Sequence, residues 1–362
     1  MSDFYEIDFL PIGDTTSGDA ITLRYKVNGV SRIHIIDGGY KSDGERIVDH
    51  VNTHYGSPRV IDAVIITHPD RDHVGGIVTV LESFEVKEVW MNRPWLYAEE
   101  LIGRFAKYSN VGNLERVLRE AYPAIAEVES LCEAKGVFIR EAFQGDKICS
   151  YSTILAPGKE QFLSLVTDSD KTPRENATSA INLLEKQGQG LAQSFLNFIA
   201  ALWGDEYFPA EGTSEENEMS VVQLIELCEQ KILLTGDAGR KTLAEAAVFR
   251  DKHGLCCPSS LNKIQVPHHG SRRNVSTEIL DRWLGSKLSS PAGSEGCQRT
   301  AIVSAAINDE DHPRKAVVRG FIHRGCKVLE TKGSTICVSH NAPSRQGWRP
   351  ASPLQYPQEQ ES

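Results

Sequence analysis

The sequence predicts an α/β fold, and three observations carry that prediction. Strand-type and helix-type segments alternate from the N-terminus through Met91. Val60–Thr67 is nearly all apolar, as expected of a strand buried on both faces. The composition, 40% hydrophobic and 24% charged over 362 residues, is that of a globular chain and excludes collagen-like, coiled-coil and disordered classes.

The elements follow in order. Phe4–Leu10, Ala20–Val27 and Arg32–Asp37 are short β-type runs separated by Gly, Asp and Asn. Ser42–Tyr55 reads as a helix, Val60–Thr67 as a strand, Gly75–Ser83 as a helix and Val86–Met91 as a strand. Helical periodicity with charged outer positions then runs from Trp95 to Lys135, followed by strand-like Gly136–Glu141 and Thr153–Ala156. A helix is expected at Leu191–Trp203 and a hairpin at Met219–Glu226 with Lys231–Thr235. The remaining expectations are a helix at Arg240–Lys252, strands at Lys263–Val266 and Ala301–Ser304, a helix at His312–Arg324, and strands at Lys327–Leu329 and Ser334–Val338. Because strand-type segments resume after each helical stretch, 1–340 reads as one domain with helical insertions at about 95–135 and 164–216. Beyond His340 the chain turns to Pro, Gln and Ser, so 341–362 is expected to be a disordered tail.

Net charge is −10 (39 basic against 49 acidic residues), which excludes a whole-molecule basic footprint for nucleic acid but not a local basic groove. No apolar run reaches the roughly 20 residues of a membrane helix. The start Met1–Glu6 lacks the basic-then-apolar pattern of a secretory signal. The eight cysteines form no CxxC pair, so reduced thiols and a cytoplasmic location are expected.

Three strand ends carry chemistry. Thr67-His68-Pro69-Asp70-Arg71-Asp72-His73-Val74-Gly75-Gly76 places four potential metal ligands within six residues, directly after the buried strand. In an extended loop His68, Asp70 and Asp72 point the same way, and His73 joins them as the chain turns into a helix. Imidazole and carboxylate suit Zn²⁺ or Mn²⁺, and a rigid strand tip fixes their geometry. Ile232–Leu234 runs into Thr235-Gly236-Asp237, and Lys263–Val266 into Pro267-His268-His269-Gly270-Ser271.

These blocks, in this order, resemble the metallo-β-lactamase superfamily, and within it the soluble hydrolase domain of ComEC-type competence proteins. Ser17-Gly18-Asp19-Ala20 with Ile35-Ile36-Asp37-Gly38-Gly39 is similar to that group's opening hairpin, and Asn217–Val222 to a later strand. Asp311-His312-Pro313 and Thr331–Val338 are similar to its closing helix and hairpin. The resemblance implies a four-layer αββα sandwich with two divalent ions, zinc or manganese, at one edge. His68 and Asp70 would serve one ion and Asp72 and His73 the other. Asp237 would bridge, and one of His268 and His269 would complete the second site, with His268 favoured. Asp37 would brace the ligand loop, and Asn217 and Ser220 stand where the broad family has a further histidine. Loss of imidazoles makes the first site harder and weaker, so single occupancy is open.

A metal pair lowers the pKa of a water and supplies hydroxide to esters, amides and phosphodiesters alike. The resemblance points to a phosphodiesterase or nuclease, with Asp72, His269 and His312 as catalytic candidates. Arg71, Ser271, Arg272, Arg273 and Asn274 are candidate phosphate contacts, the last four preceding a helix whose amides favour anions. By analogy, a free-standing relative of this kind fits antiviral defence against foreign DNA or nucleotide-signal turnover. Two rivals are a lactone, thioester or β-lactam hydrolase, which predicts an apolar pocket, and a protein-binding module whose insertions make the contacts around a structural metal.

Overall fold

The computed structural model describes residues 3–172, 198–292 and 299–361. β1 (Phe4–Phe9), β2 (Ile21–Val27) and β3 (Val30–Ile36) form an antiparallel meander. β4 (Val60–Ile65), β5 (Glu85–Trp90) and β6 (Phe138–Arg140) extend it in parallel. The second sheet holds β7 (Lys147–Cys149), β8 (Ser152–Ala156), then, after a short strand β9 (Phe198–Ala200), β10 (Val222–Leu227), β11 (Gln230–Leu234), β12 (Lys263–Gln265), β13 (Arg299–Val303) and β14 (Cys326–Glu330). β15 (Ile336–His340) crosses back to lie antiparallel to β1, making, among the described residues, two seven-stranded sheets, ordered β15-β1-β2-β3-β4-β5-β6 and β14-β13-β12-β11-β10-β8-β7.

Parallel neighbours need crossover connections, and these supply the outer layers. Over the first sheet lie α1 (Gly44–Tyr55), α2 (Arg71–Val74), α3 (Ile77–Ser83), α4 (Val111–Ala121) and α5 (Pro123–Lys135). α6 (Lys159–Asp168) follows β8, and α7 (Arg240–Lys252), α8 (Thr277–Leu284) and α9 (Lys315–Ile322) cover the second sheet. The result is the expected sandwich of helices, sheet, sheet, helices.

Period-two patterning explains the stacking. On β1, Tyr5, Ile7 and Phe9 enter the core between the sheets, where they meet Ile225, Ile232, Leu234 and Ile302. Glu6 and Asp8 alternate to the other face, buried beneath α1 and the C-terminal segment. β4 is apolar on both faces for the reason expected: Ala63 and Ile65 belong to the inter-sheet core, Val64 to the core under α1 and α3. Truncating one of these large buried side chains removes about 2–5 kcal/mol.

Trp95, Leu114, Leu118, Tyr122 and Ile125 of the 95–135 insertion bury into the first core. Other expectations are corrected. Of the helix expected at Leu191–Trp203, 191–197 lie outside the described residues, and 198–200 form strand β9. Backbone pairing with β16 (Glu359–Glu361) overrides local periodicity there. The tail is therefore not disordered where described. Arg345 binds Glu6 and Asp8, Leu354 N donates to Val328 O, and Glu361 accepts from the Lys315 and Ala316 amides. The helix expected from His312 begins at Lys315. Among the described residues no helix is long and apolar enough to cross a membrane.

Candidate metal centre

β3 and β4 run parallel in one sheet and β11, β12 and β13 in the other, so each group delivers its carboxyl ends to one rim. Asp37 follows β3, the His68–His73 loop follows β4, Asp237 follows β11, and His268-His269 follows β12. Two glycines let these turns approach. A Cβ on Gly76 would lie 2.2 Å from Gly38 O, and one on Gly236, at φ +49°, would lie 2.9 Å from the Thr67 side chain. His268 and His269 both adopt left-handed φ (47° and 55°), a strained state that persists only when surroundings impose it.

The donors converge in two lobes sharing Asp237. In one, His68 Nε2 lies 3.9 Å from both Asp70 Oδ2 and Asp237 Oδ2, and His268 Nε2 lies 3.6 Å from Asp237 Oδ2. In the other, His73 Nε2 lies 3.8 Å from Asp72 Oδ2 and 3.4 Å from Asp237 Oδ1, while His269 Nε2 lies 3.8 Å from Asp72 Oδ2. Asp19, His73, Asp237 and His269 offer ligand atoms all within 4.8 Å of one another, and all four residues are buried. Thus His269, not the favoured His268, stands beside Asp72 and His73. His268 belongs to the His68 lobe.

Asp19 Oδ1, His68 Nε2, His73 Nε2, Asp237 Oδ1 and His269 Nε2 are buried without a hydrogen-bond partner among the described residues. Buried polar atoms are nearly always satisfied, and these five cluster at one place. A zinc shell with bonds of about 2.0–2.2 Å spaces neighbouring donors by about 3.3–3.6 Å. The residues present therefore fit a divalent ion, and their mix of imidazole and carboxylate suits zinc or manganese alike.

The ring nitrogens facing away from the centre are fixed. Asp37 Oδ2 is 2.8 Å from His73 Nδ1, and its two oxygens also accept from Thr67 N and Oγ1 at 2.8 and 2.7 Å. His269 Nδ1 donates to Ser304 O at 3.0 Å, and His268 Nδ1 to Asn274 Oδ1 at 2.9 Å. Such partners set the tautomer and aim Nε2 at the ion. Ser220 Oγ accepts from Asp237 N at 3.1 Å, and Asn217 Nδ2 lies 3.2 Å from His268 Nδ1.

Burial penalises every charge here, yet the pairs prevail. His73 is held well above its ordinary pKa by Asp237, Asp37 and Asp72, and His269 rises to about 9 beside Asp237 and Asp72. Asp237 is driven well below the carboxylate range by His73, His268 and His269, and Asp72 falls to about 2 beside His73 and His269. Burial, with His269 and His312 nearby, lowers His268, and burial, with Asp237 nearby, raises Asp19. A divalent ion bound among these groups would compete with protons for the same imidazole nitrogens.

A cleft of ≈770 Å³ opens beside the His68 lobe, with Asp70, His268 and His312 on its wall together with Ser271, Arg272, Arg273 and Arg314. The His312 ring is 6.2 Å from that of His268 and 6.3 Å from that of His269. Asp309 Oδ2 accepts from His312 Nδ1 at 3.2 Å and from Ser17 Oγ at 2.6 Å. Two phosphate candidates lie elsewhere. Arg71 lines a neighbouring cleft with Tyr122 and Lys171. Asn274 is fully buried, its Nδ2 donating to Asp237 O at 2.7 Å, so it ties two site turns together and cannot reach an incoming anion. The helix after this segment, α8, is capped by its own Ser276.

Asp19, Asp309 and Lys171, whose Nζ sits 2.5 Å from Asp70 Oδ1, were not among the sequence candidates. Asp19 alone had a visible signal, in the Ser17–Ala20 segment.

The family model described as the metallo-β-lactamase superfamily matches residues 31–127, the stretch that holds the His68–His73 loop. No curated protein matches the chain. Similar solved structures include the metallo-β-lactamase fold protein YhfI from Bacillus subtilis, 9% identical, covering 94% of this chain and 100% of that one at a TM-score of 0.42. A variant of the CmlA β-hydroxylase is 10% identical over 93% of this chain and 54% of its own, at 0.39. The dizinc quorum-quenching lactonase AidC is 12% identical over 65% and 67%, at 0.31. The family match and the two stacked sheets flanked by helices support the metallo-β-lactamase superfamily fold for this chain.

Proposed function

We propose that the protein is a metal-dependent hydrolase acting on phosphodiesters, a small-molecule phosphodiesterase or a nuclease. The observation that carries the metal is the set of five buried, unpartnered donor atoms around Asp237. His68, Asp70, Asp237 and His268 would hold one ion, and Asp72, His73, Asp237 and His269, with Asp19 beside them, the other. A divalent ion bound there lowers the pKa of water and neutralises charge on a reacting oxygen.

The remaining roles fall to the cleft. Arg272, Arg273 and Arg314 on its wall suit the non-bridging oxygens of a phosphodiester. His312 gives its Nδ1 proton to a hydrogen bond with Asp309, leaving Nε2 to deliver a proton to the leaving oxygen. The bonds from His312 and Ser17 hold Asp309 well below the usual carboxylate range despite partial burial, so it stays an acceptor. The rival lactone or β-lactam reading predicts an apolar pocket, whereas the wall here is Asp70, Asp170, Thr213, Ser214, Glu215, Glu216, Asn217 and the arginines.

The test is turnover of bis(4-nitrophenyl) phosphate, single- and double-stranded DNA, RNA, a homoserine lactone and a β-lactam by purified protein with Mn²⁺ or Zn²⁺ added. Metal-dependent cleavage of a phosphodiester, with the lactone and lactam untouched, is expected. Cleavage of the lactone or lactam alone would replace this proposal with its rival.

A further inference from the structure

The two lobes around Asp237 are not equivalent, and the difference lies in Lys171. Asp19, His73, Asp237 and His269 are all buried and mutually within 4.8 Å. The His68 lobe depends on Asp70, whose side chain is 28% exposed, and Asp70 already has a cation: Lys171 Nζ lies 2.5 Å from its Oδ1. The lysine side chain is itself 42% exposed, but its backbone is held by buried contacts. Its backbone amide donates to Ser169 Oγ at 3.0 Å, and Ser169 in turn donates to Glu216. Thr172 Oγ1 ties the same turn back to Val166 O and Ser169 O, at 2.9 and 2.8 Å. Ser169 and Thr172 are themselves buried.

An ammonium and a divalent ion on one carboxylate repel each other, and each weakens what the carboxylate offers the other. We propose that Lys171 serves as a resident counter-ion that makes the centre unequal. The Asp72/His73/Asp237/His269 lobe retains one ion, and the His68/Asp70/His268 lobe fills only when Lys171 leaves Asp70. This rests on the metal-centre reading above and adds to it an order of loading that depends on one residue outside the ligand set.

The experiment strips the protein with chelator, reloads it with excess Zn²⁺, desalts it and counts zinc per chain by elemental analysis. Wild type, Lys171→Met, Lys171→Gln and Lys171→Arg are compared, with far-ultraviolet circular dichroism to confirm folding. One zinc per chain is expected for wild type and Lys171→Arg, and two for Lys171→Met and Lys171→Gln. Two in wild type, or one in both neutral variants, would overturn the proposal while leaving the metal centre standing. None in any variant would remove the metal centre and this inference with it.

Discussion

Two groups of buried carboxylates sit in the same domain, and they are treated in opposite ways. At β1, Glu6 and Asp8 have all four oxygens satisfied from within the chain: Arg24 and Arg345 serve Glu6, Arg345 and Tyr55 serve Asp8. At the rim, Asp19 and Asp237 keep unpartnered oxygens, and three histidines aim unpartnered Nε2 atoms at the same place. Burying charge is costly unless it is paired. The first group is paired by arginines and holds the tail to the sheet. The second has imidazoles in place of arginines, and so leaves room for a cation that is not part of the chain.

This contrast can be broken at either end. The largest effect is expected from Asp72→Ala with Asp237→Ala, which should abolish metal-dependent turnover and the thermal stabilisation produced by added Mn²⁺ or Zn²⁺. Turnover at the wild-type rate would remove both residues from the centre. Arg345→Met should do the reverse, destabilising the fold by about 3–5 kcal/mol because it strands buried carboxylates, with activity per folded molecule unchanged. Urea unfolding beside a turnover assay separates the two, and an unaltered midpoint would show that the β1 group does not need its arginine. Asp37→Ala should lower metal affinity about 10–100-fold by releasing His73 Nδ1, as read by calorimetric titration. Wild-type affinity would mean that the hydrogen bond does not orient the ring.

The smallest effect concerns acid. Burial lowers His34 from 6.5 to about 4, so the unfolded chain binds its proton first and stability falls as pH drops from 6.5 towards 4. Glu206, hydrogen-bonded by His323 and Arg324, is held at about 2 against burial. Its contribution is complete above 4.5 and lost as pH falls from there through 2. Melting curves in chelator from pH 7 to 3 should show both losses, and Glu206→Gln should flatten only the lower one. A melting temperature constant between pH 7 and 4 would contradict the first assignment.

What could be read from sequence follows the same division. The His68–His73 block, Asp237 and His268-His269 stood out because each follows an apolar strand within a few residues, so local order carried their meaning. Asp19 had a signal only through the Ser17–Ala20 resemblance, while Lys171 and Asp309 are single polar residues in connections that only packing brings to the rim. The tail misled for a related reason. Its composition lacks a core, but Arg345, Leu354 and Glu361 each dock individually on residues far away in the chain. β7 is three residues long, too short to show a period. The choice between His268 and His269 turned on two left-handed residues whose side-chain directions no spacing rule supplies.

The most direct test of the metal centre is anomalous diffraction from crystals of the protein soaked in zinc, with data collected on either side of the zinc edge. The expected result is a strong anomalous peak among Asp72, His73, Asp237 and His269. Fully soaked crystals with no peak at that place, and with the same side chains turned towards protein partners instead, would contradict it.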